Sequence, residues 1–258
     1  MAKKNELPAL MAALLVTFAL LGGGAWWLKN SLLGDTSAVG SNGQPAASTG
    51  SSSSVQSTGS GSNGQALLSE DGSATKQKGL DALADNDYDT AKAEFTAALA
   101  ERKNDPESLI YLNNAEIGEG NAYTLAMIVP AGSSQSAAAE LMRGAAQAQV
   151  DINNAGGIDG TPIKLRLIND DDDKETASEI ASELVDDKDV LGVIGHYSSG
   201  TTLAAAEVYE AGQLPMISPT STAVDISSAG DYIFRTVPSD RLAAATLSRY
   251  VLGELNEN

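Results

Sequence analysis

The chain has no cysteine and one histidine, and basic side chains are scarce: 16 Lys and Arg stand against 34 Asp and Glu in 258 residues, a formal charge of −18. Without cysteine there is no disulfide, no thiolate nucleophile, no cysteine-ligated metal and no lipid attachment through an N-terminal cysteine. The acidic balance argues against a sequence-independent nucleic-acid binder, which needs Lys and Arg to displace counterions. It names no partner; acidic solubilisation of an exported domain accounts for it. Aromatic residues are only 5% while Ala, Gly and Ser are abundant, so part of the length buries no core.

One long apolar run is present. Lys3 and Lys4 precede an uncharged stretch from Leu7 to Leu28, about 22 residues, enough to cross a hydrocarbon core of about 30 Å. Trp26 and Trp27 stand where an interfacial aromatic belt belongs, and Lys29 follows. Residues 1–30 therefore read as a transmembrane signal anchor with a cytoplasmic N-terminus and the bulk extracytoplasmic, by the positive-inside rule. A cleaved signal peptide, with Gly23-Gly24-Ala25 as a poor cleavage site, is the alternative. From residue 31 to 74 the composition falls to Ser, Gly, Thr, Ala and Gln, which cannot offset ordering entropy. This reads as a disordered tether, spanning roughly 35 Å as a flexible coil.

Periodicity returns at Thr75. Leu80, Leu83 and Ala84 share one helical face, Ala91, Phe95, Ala98 and Leu99 another, and Asp105-Pro106 opens a third helix. Gly79, Ala82, Leu83, Tyr88, Ala91, Phe95, Ala98 and Pro106 fill slots that closely resemble one tetratricopeptide repeat over residues 75–120. Such repeats need roughly three copies for stability, so a lone unit must cap a neighbour or pair with a partner. A protein-docking module and a helical spacer packed on the next domain both fit.

From residue 121 to 258 strands alternate with helices. YTLAMIVPA, PIKLRLIND, VLGVIG and LPMIS read as buried strands, with a short edge strand from Asp231 to Arg235. The helix after the first strand is expected to turn Leu141, Ala145, Ala148 and Ile152 inward and to end at Gly156-Gly157. The next, from about Lys174 to Asp187, buries Ala177, Ile180, Ala181, Leu184 and Val185; others follow from Thr201 to Ala211 and from Ser239 to Leu255. The fold class is α/β, a doubly wound parallel sheet with right-handed crossovers.

Ligands of such sheets bind beyond the carboxyl ends of the strands. Those ends carry Ala131-Gly132-Ser133-Ser134, then His196 to Thr202, then Ser218-Pro219-Thr220-Ser221-Thr222. Three loops rich in hydroxyls, two of them opening helices, make a site for a carboxylate or another small anion, although serine is also an ordinary N-cap. No P-loop is present, and Gly156, Gly157 and Gly160 fit a helix C-cap and a turn. His196 lacks a G-x-S-x-G elbow and reads as a structural histidine at a strand end. The run Asp170 to Asp173 lacks the ligand spacing of a calcium loop and reads as a solvated turn. No catalytic residue, metal ligand or cofactor is expected.

The motifs from Leu125 to Leu255 resemble a known family. G-x-x-x-A-x-x-x-I-N-x-x-G-G-I-x-G from Gly144, Asn169-Asp170 followed by Thr176-Ala177, VIGHYSSGTT and PMISPTSTA occur in the order found in the N-terminal lobe of leucine/isoleucine/valine-type (type I) periplasmic binding proteins of ABC importers. The resemblance implies a solute-binding, non-enzymatic role in amino-acid transport, with an amino acid or similar polar solute as ligand and ABC permease subunits as partners. It implies that Ser199, Thr220, Ser221 and Thr222 hold the α-carboxylate and α-ammonium, with Ser134 in the first loop. Where some members carry a cysteine pair, Asp172 and Ser198 stand here, and Ser134 to Ala137 replace an aromatic residue some place in the first loop. A second lobe, which in the family closes over the ligand, is absent from these residues. The competing reading is a membrane-anchored adaptor or sensor that docks a partner through the repeat-like helices.

Overall fold

The computed structural model describes residues 67–69 and 73–254. The expected anchor at 1–30 and nearly all of the tether lie outside the described residues. Among the described residues no helix is long and apolar enough to cross a membrane.

Three helices come first: α1 (Ala74–Ala84), α2 (Tyr88–Glu101) and α3 (Pro106–Ile117). Their starts are set locally, since the side chains of Ser73, Asp87 and Asp105 each accept first-turn N–H groups, and Pro106 sits where its missing donor costs nothing. Gly79 lets α1 close on α2, its Cα facing the Phe95 ring, which stacks on Tyr111 of α3 at 5.5 Å. Ala82 rather than Ala84 joins Leu80 and Leu83 in the interior, and Ala84 is exposed. Lys76 is buried too, a charge that apolar periodicity does not see.

The α/β part follows as β1 (Tyr123–Val129), α4 (Gln135–Asn154), β2 (Ile163–Asn169), α5 (Lys174–Asp186), β3 (Val190–Ile194), α6 (Ser199–Gly212), β4 (Met216–Ser218), a 3-10 turn (Val224–Ser228), β5 (Ile233–Arg235) and α7 (Asp240–Glu254). All four strand pairings are parallel, in the order β2-β1-β3-β4-β5. Side chains alternate across the sheet, so Ala126 and Ile128 point into a core with α5 and α6, while Met127 and Val129 point into one shared with α1 to α4.

The inward face of α4 differs from expectation. Ala138, Met142, Ala146 and Gln149 are buried, Leu141, Ala145 and Ile152 flank them, and Ala148 is exposed. The cause is Gln149, whose Nε2 donates to Asn114 Oδ1 at 2.8 Å and to the Ile163 carbonyl at 3.2 Å. A polar residue thus completes a stripe that hydrophobic spacing places one step around the helix.

The free edge of β2 is closed by side chains. Asn114 of α3 bonds both the N–H and the C=O of Leu165, and Asn153 of α4 does the same for Ile163. Two asparagines thereby stand in for a missing strand, which blunts an edge prone to aberrant pairing. Asn114→Ala strands both backbone groups of Leu165 and one donor of Gln149. We expect a loss of about 2 kcal/mol of stability, read from the urea midpoint, with unchanged helical content.

The opposite side is less complete. Met127, Ile194, Ile217 and Phe234 lie side by side across β1, β3, β4 and β5. Helices cover Met127 and half-cover Ile194, while Ile217 and Phe234 are exposed. Beyond Ser239 the chain leaves the sheet, and α7 is exposed on all sides with Leu242, Leu247 and Tyr250 on one apolar face.

Candidate functional site

The connection from β1 runs to β2 on one side, while β3 leads to β4 and β5 on the other. The carboxyl ends of β1 and β3 therefore flank the switch point, where an open parallel sheet leaves a crevice. Gly195 follows β3 at φ +138°, and a Cβ there would fall 2.9 Å from Ile128, so only glycine lets the chain turn this close to β1.

Beneath the rim lies a sealed polar cluster. His196 Nδ1 is 2.7 Å from Asp170 Oδ2, and its Nε2 is 3.1 Å from the Tyr209 hydroxyl, with all three side chains buried. The second Asp170 oxygen accepts the Asp172 N–H at 3.0 Å. Burial, and then the neighbouring Asp170 charge, push the Tyr209 hydroxyl far above the ordinary tyrosine range. The cluster pins the end of β2, the end of β3 and the middle of α6 together. His196 is thus a satisfied structural histidine, with both ring nitrogens engaged and no access to a neighbouring serine. The aspartate run is not one solvated turn. Asp170 is interior and Asp173 caps α5, while Asp171 and Asp172 make a turn at positive φ. Its exposed neighbours gave no sign of Asp170's burial; an aspartate directly after an apolar strand was the available signal.

Above the cluster the β3 and β4 loops are welded. The Thr202 and Ser221 hydroxyls meet at 2.8 Å, Ser218 Oγ donates to the His196 carbonyl at 2.8 Å and lies 2.8 Å from Ser221 Oγ, and Thr220 Oγ1 donates to the Tyr197 carbonyl. Ser199 Oγ accepts the Ala223 N–H at 3.2 Å, which sets it beside Thr222. Ser199, Thr220 and Thr222 are half-buried, whereas Ser221 is buried and its hydroxyl is spent on Ser218 and Thr202. Among the described residues the Ser199 hydroxyl donates to no acceptor, which leaves its proton for a ligand, and Thr220 keeps lone pairs for an outside donor. Ser199 also opens α6, whose first N–H groups have no partner within the helix.

Ser134 stands apart on the β1 loop. It precedes α4 without capping it, and among the described residues no hydrogen bond links it to the other four. Its loop is tied instead to the β2 end, where Asn169 Oδ1 accepts the Ala131 N–H at 2.7 Å and Gly132 abuts Asp171. Asp172 and Ser198 meet through one hydroxyl: Thr201 Oγ1 lies 3.3 Å from Asp172 Oδ1 and 3.1 Å from Ser198 Oγ. These polar contacts tie the turn after β2 to the start of α6.

Comparison with known proteins agrees with this architecture. Residues 122–257 match the model of the periplasmic binding protein family. An amino acid binding protein of Pseudomonas aeruginosa is 34% identical over 125 residues, 48% of this chain and 33% of that protein. The Leu/Ile/Val-binding protein of Escherichia coli is 36% identical over 110 residues, 42% of this chain and 30% of that one. An ABC transporter substrate-binding protein from Desulfitobacterium hafniense superposes with a TM-score of 0.48 at 30% identity, covering 52% of this chain and 39% of its own. The chain spans about a third of the length of the curated relatives it matches. With the family model matched over residues 122–257, half its length, the chain belongs to the periplasmic binding protein family.

Proposed function

We propose that this lobe recognises an amino acid or a similar small polar solute without covalent chemistry, as the membrane-anchored, extracytoplasmic solute-binding component of an ABC-type importer. The observation that carries the reading is the weld between the β3 and β4 loops, which brings Ser199 and Thr222 to one patch of the rim. A proton on Ser199 and the N–H groups opening α6 suit a carboxylate, and the lone pairs of Thr220 suit an ammonium. Ser221 holds the patch in shape from within, and Ser134, on the separate β1 loop, is assigned to the ligand by the resemblance alone. Relatives named for amino-acid and Leu/Ile/Val binding support the solute class. The paired lysines and apolar run before Trp26 support the anchor. A second α/β wall packing on Ile217, Phe234 and α7 would enclose the ligand from the other side.

Calorimetry of the 258-residue chain against an amino-acid panel tests this. The described hydroxyls form one wall, so affinity is expected to be about millimolar, and Thr222→Val or Ser199→Ala should weaken it about tenfold. Equal affinity in both variants and the parent removes the site assignment.

A second reading, a membrane-anchored adaptor or sensor, draws on the helical layer. α1 to α3 have the spacing of one tetratricopeptide-like unit, and they hold an adjoining segment of chain against Glu107. Recovery of a partner protein that depends on residues 75–118, with no solute binding, would favour it.

A further inference from the structure

Three residues upstream of α1 are held by a charge cluster inside the helical layer. Leu68 N donates to Glu107 Oε1 at 2.6 Å, and Ser69 Oγ donates to Glu107 Oε2 at 2.6 Å. Lys76 Nζ reaches Ser69 Oγ at 2.6 Å, Glu107 Oε2 at 2.6 Å and Asp105 Oδ2 at 2.9 Å, which uses all three of its donors. From the other side Gln135 Nε2 donates to the Leu68 carbonyl at 3.2 Å, while Leu67 and Leu68 pack on the core of α1 to α4. Lys76 and Glu107 are fully enclosed.

A buried carboxylate is tolerated only when its lone pairs are matched. Here the segment supplies most of the match, because among the described residues the Glu107 carboxylate would keep Lys76 alone without Leu68 and Ser69. Asp105 is committed elsewhere. Burial pushes its carboxyl up, but the hydrogen bonds of Lys76 and Ser108 outweigh this and hold it below the usual carboxylate range. The groups that face the segment read a sequence: an apolar pair, a backbone N–H, and a hydroxyl able to donate and accept at once. A cleft bordered by Ser69, Arg102, Asp105, Gln135 and Met142 keeps this surface open at one side.

We propose that α1, α3 and the start of α4 form a docking site for a Leu-Leu-Ser segment, occupied in cis by residues 67–69 of the same chain. Docking fixes the point at which the Ser/Gly-rich tether joins the lobe. That point lies beside the β1 rim loop, since Gln135 Nε2 also donates to the Ala131 carbonyl at 2.5 Å. The inference is independent of the solute reading.

Hydrogen exchange on the full chain, resolved to the peptide spanning residues 64–72, tests it. The Leu68 amide should exchange at least about tenfold more slowly than an unstructured one. Ser69→Ala and Leu68→Ser, both outside the helices, should each abolish that protection while α1 to α3 stay protected. No protection in the parent, or protection unchanged in both variants, overturns the proposal. Protection that grows with chain concentration also overturns occupancy in cis and assigns the site to a second copy.

Discussion

His196→Ala is expected to cost about 3–5 kcal/mol of folding stability, far more than the loss of one imidazole's packing. The reason is what remains. Asp170 is buried, and without the ring its carboxylate keeps only the Asp172 N–H, while the Tyr209 hydroxyl loses its partner as well. An unmatched buried charge carries the full desolvation cost that the pair now offsets. The double variant Asp170→Ala/His196→Ala removes both ends of the interaction and should be less destabilised than the sum of the two single changes. Urea unfolding followed by circular dichroism measures all three. A loss under about 1 kcal/mol for His196→Ala would show that the cluster is not a structural keystone. The effect should reach the rim, since the His196 carbonyl accepts the Ser218 hydroxyl and Ser218 holds Ser221.

That cluster marks where sequence patterning stops being informative. Element positions were legible because they depend on local chemistry. The capping aspartate and Pro106 start α3 at the residue expected, and Gly156 and Gly157 end α4 as expected, with Gly157 N bonded to the Ile152 carbonyl. The parallel sheet followed from strand–helix alternation, and the carboxyl ends of the strands then located the rim. Interior polar residues were not legible. Apolar periodicity treats Lys76, Glu107, Gln149 and Asp170 as surface positions, yet each is buried because a partner distant in sequence completes it. The same limit applied to the site. The rim hydroxyls were identifiable as a group, but whether one faces the crevice or the interior depends on neighbours such as Ser218 and Thr202, which turn Ser221 inward.

The contact between Gly79 and Phe95 gives a prediction in which one substitution changes sign. Phe95 is fully buried against Tyr111, so Phe95→Ala leaves a large void and should cost about 3–5 kcal/mol. Gly79→Ala alone places a methyl carbon 2.8 Å from the Phe95 ring. The ring can yield only by disturbing its stack on Tyr111, so overpacking should cost about 1–3 kcal/mol even though alanine favours the helix. In the Phe95→Ala background the obstruction is gone. The same methyl then partly fills the void and adds helix propensity, for a gain of about 1 kcal/mol. Phe95 shares one core with β1, β2 and α4, so these changes should shift a single unfolding transition rather than split off a separate helical one. Two resolved transitions would mean that the helical layer and the sheet do not fold on a common core, and Gly79→Ala destabilising in both backgrounds would mean that Phe95 is not what excludes the methyl.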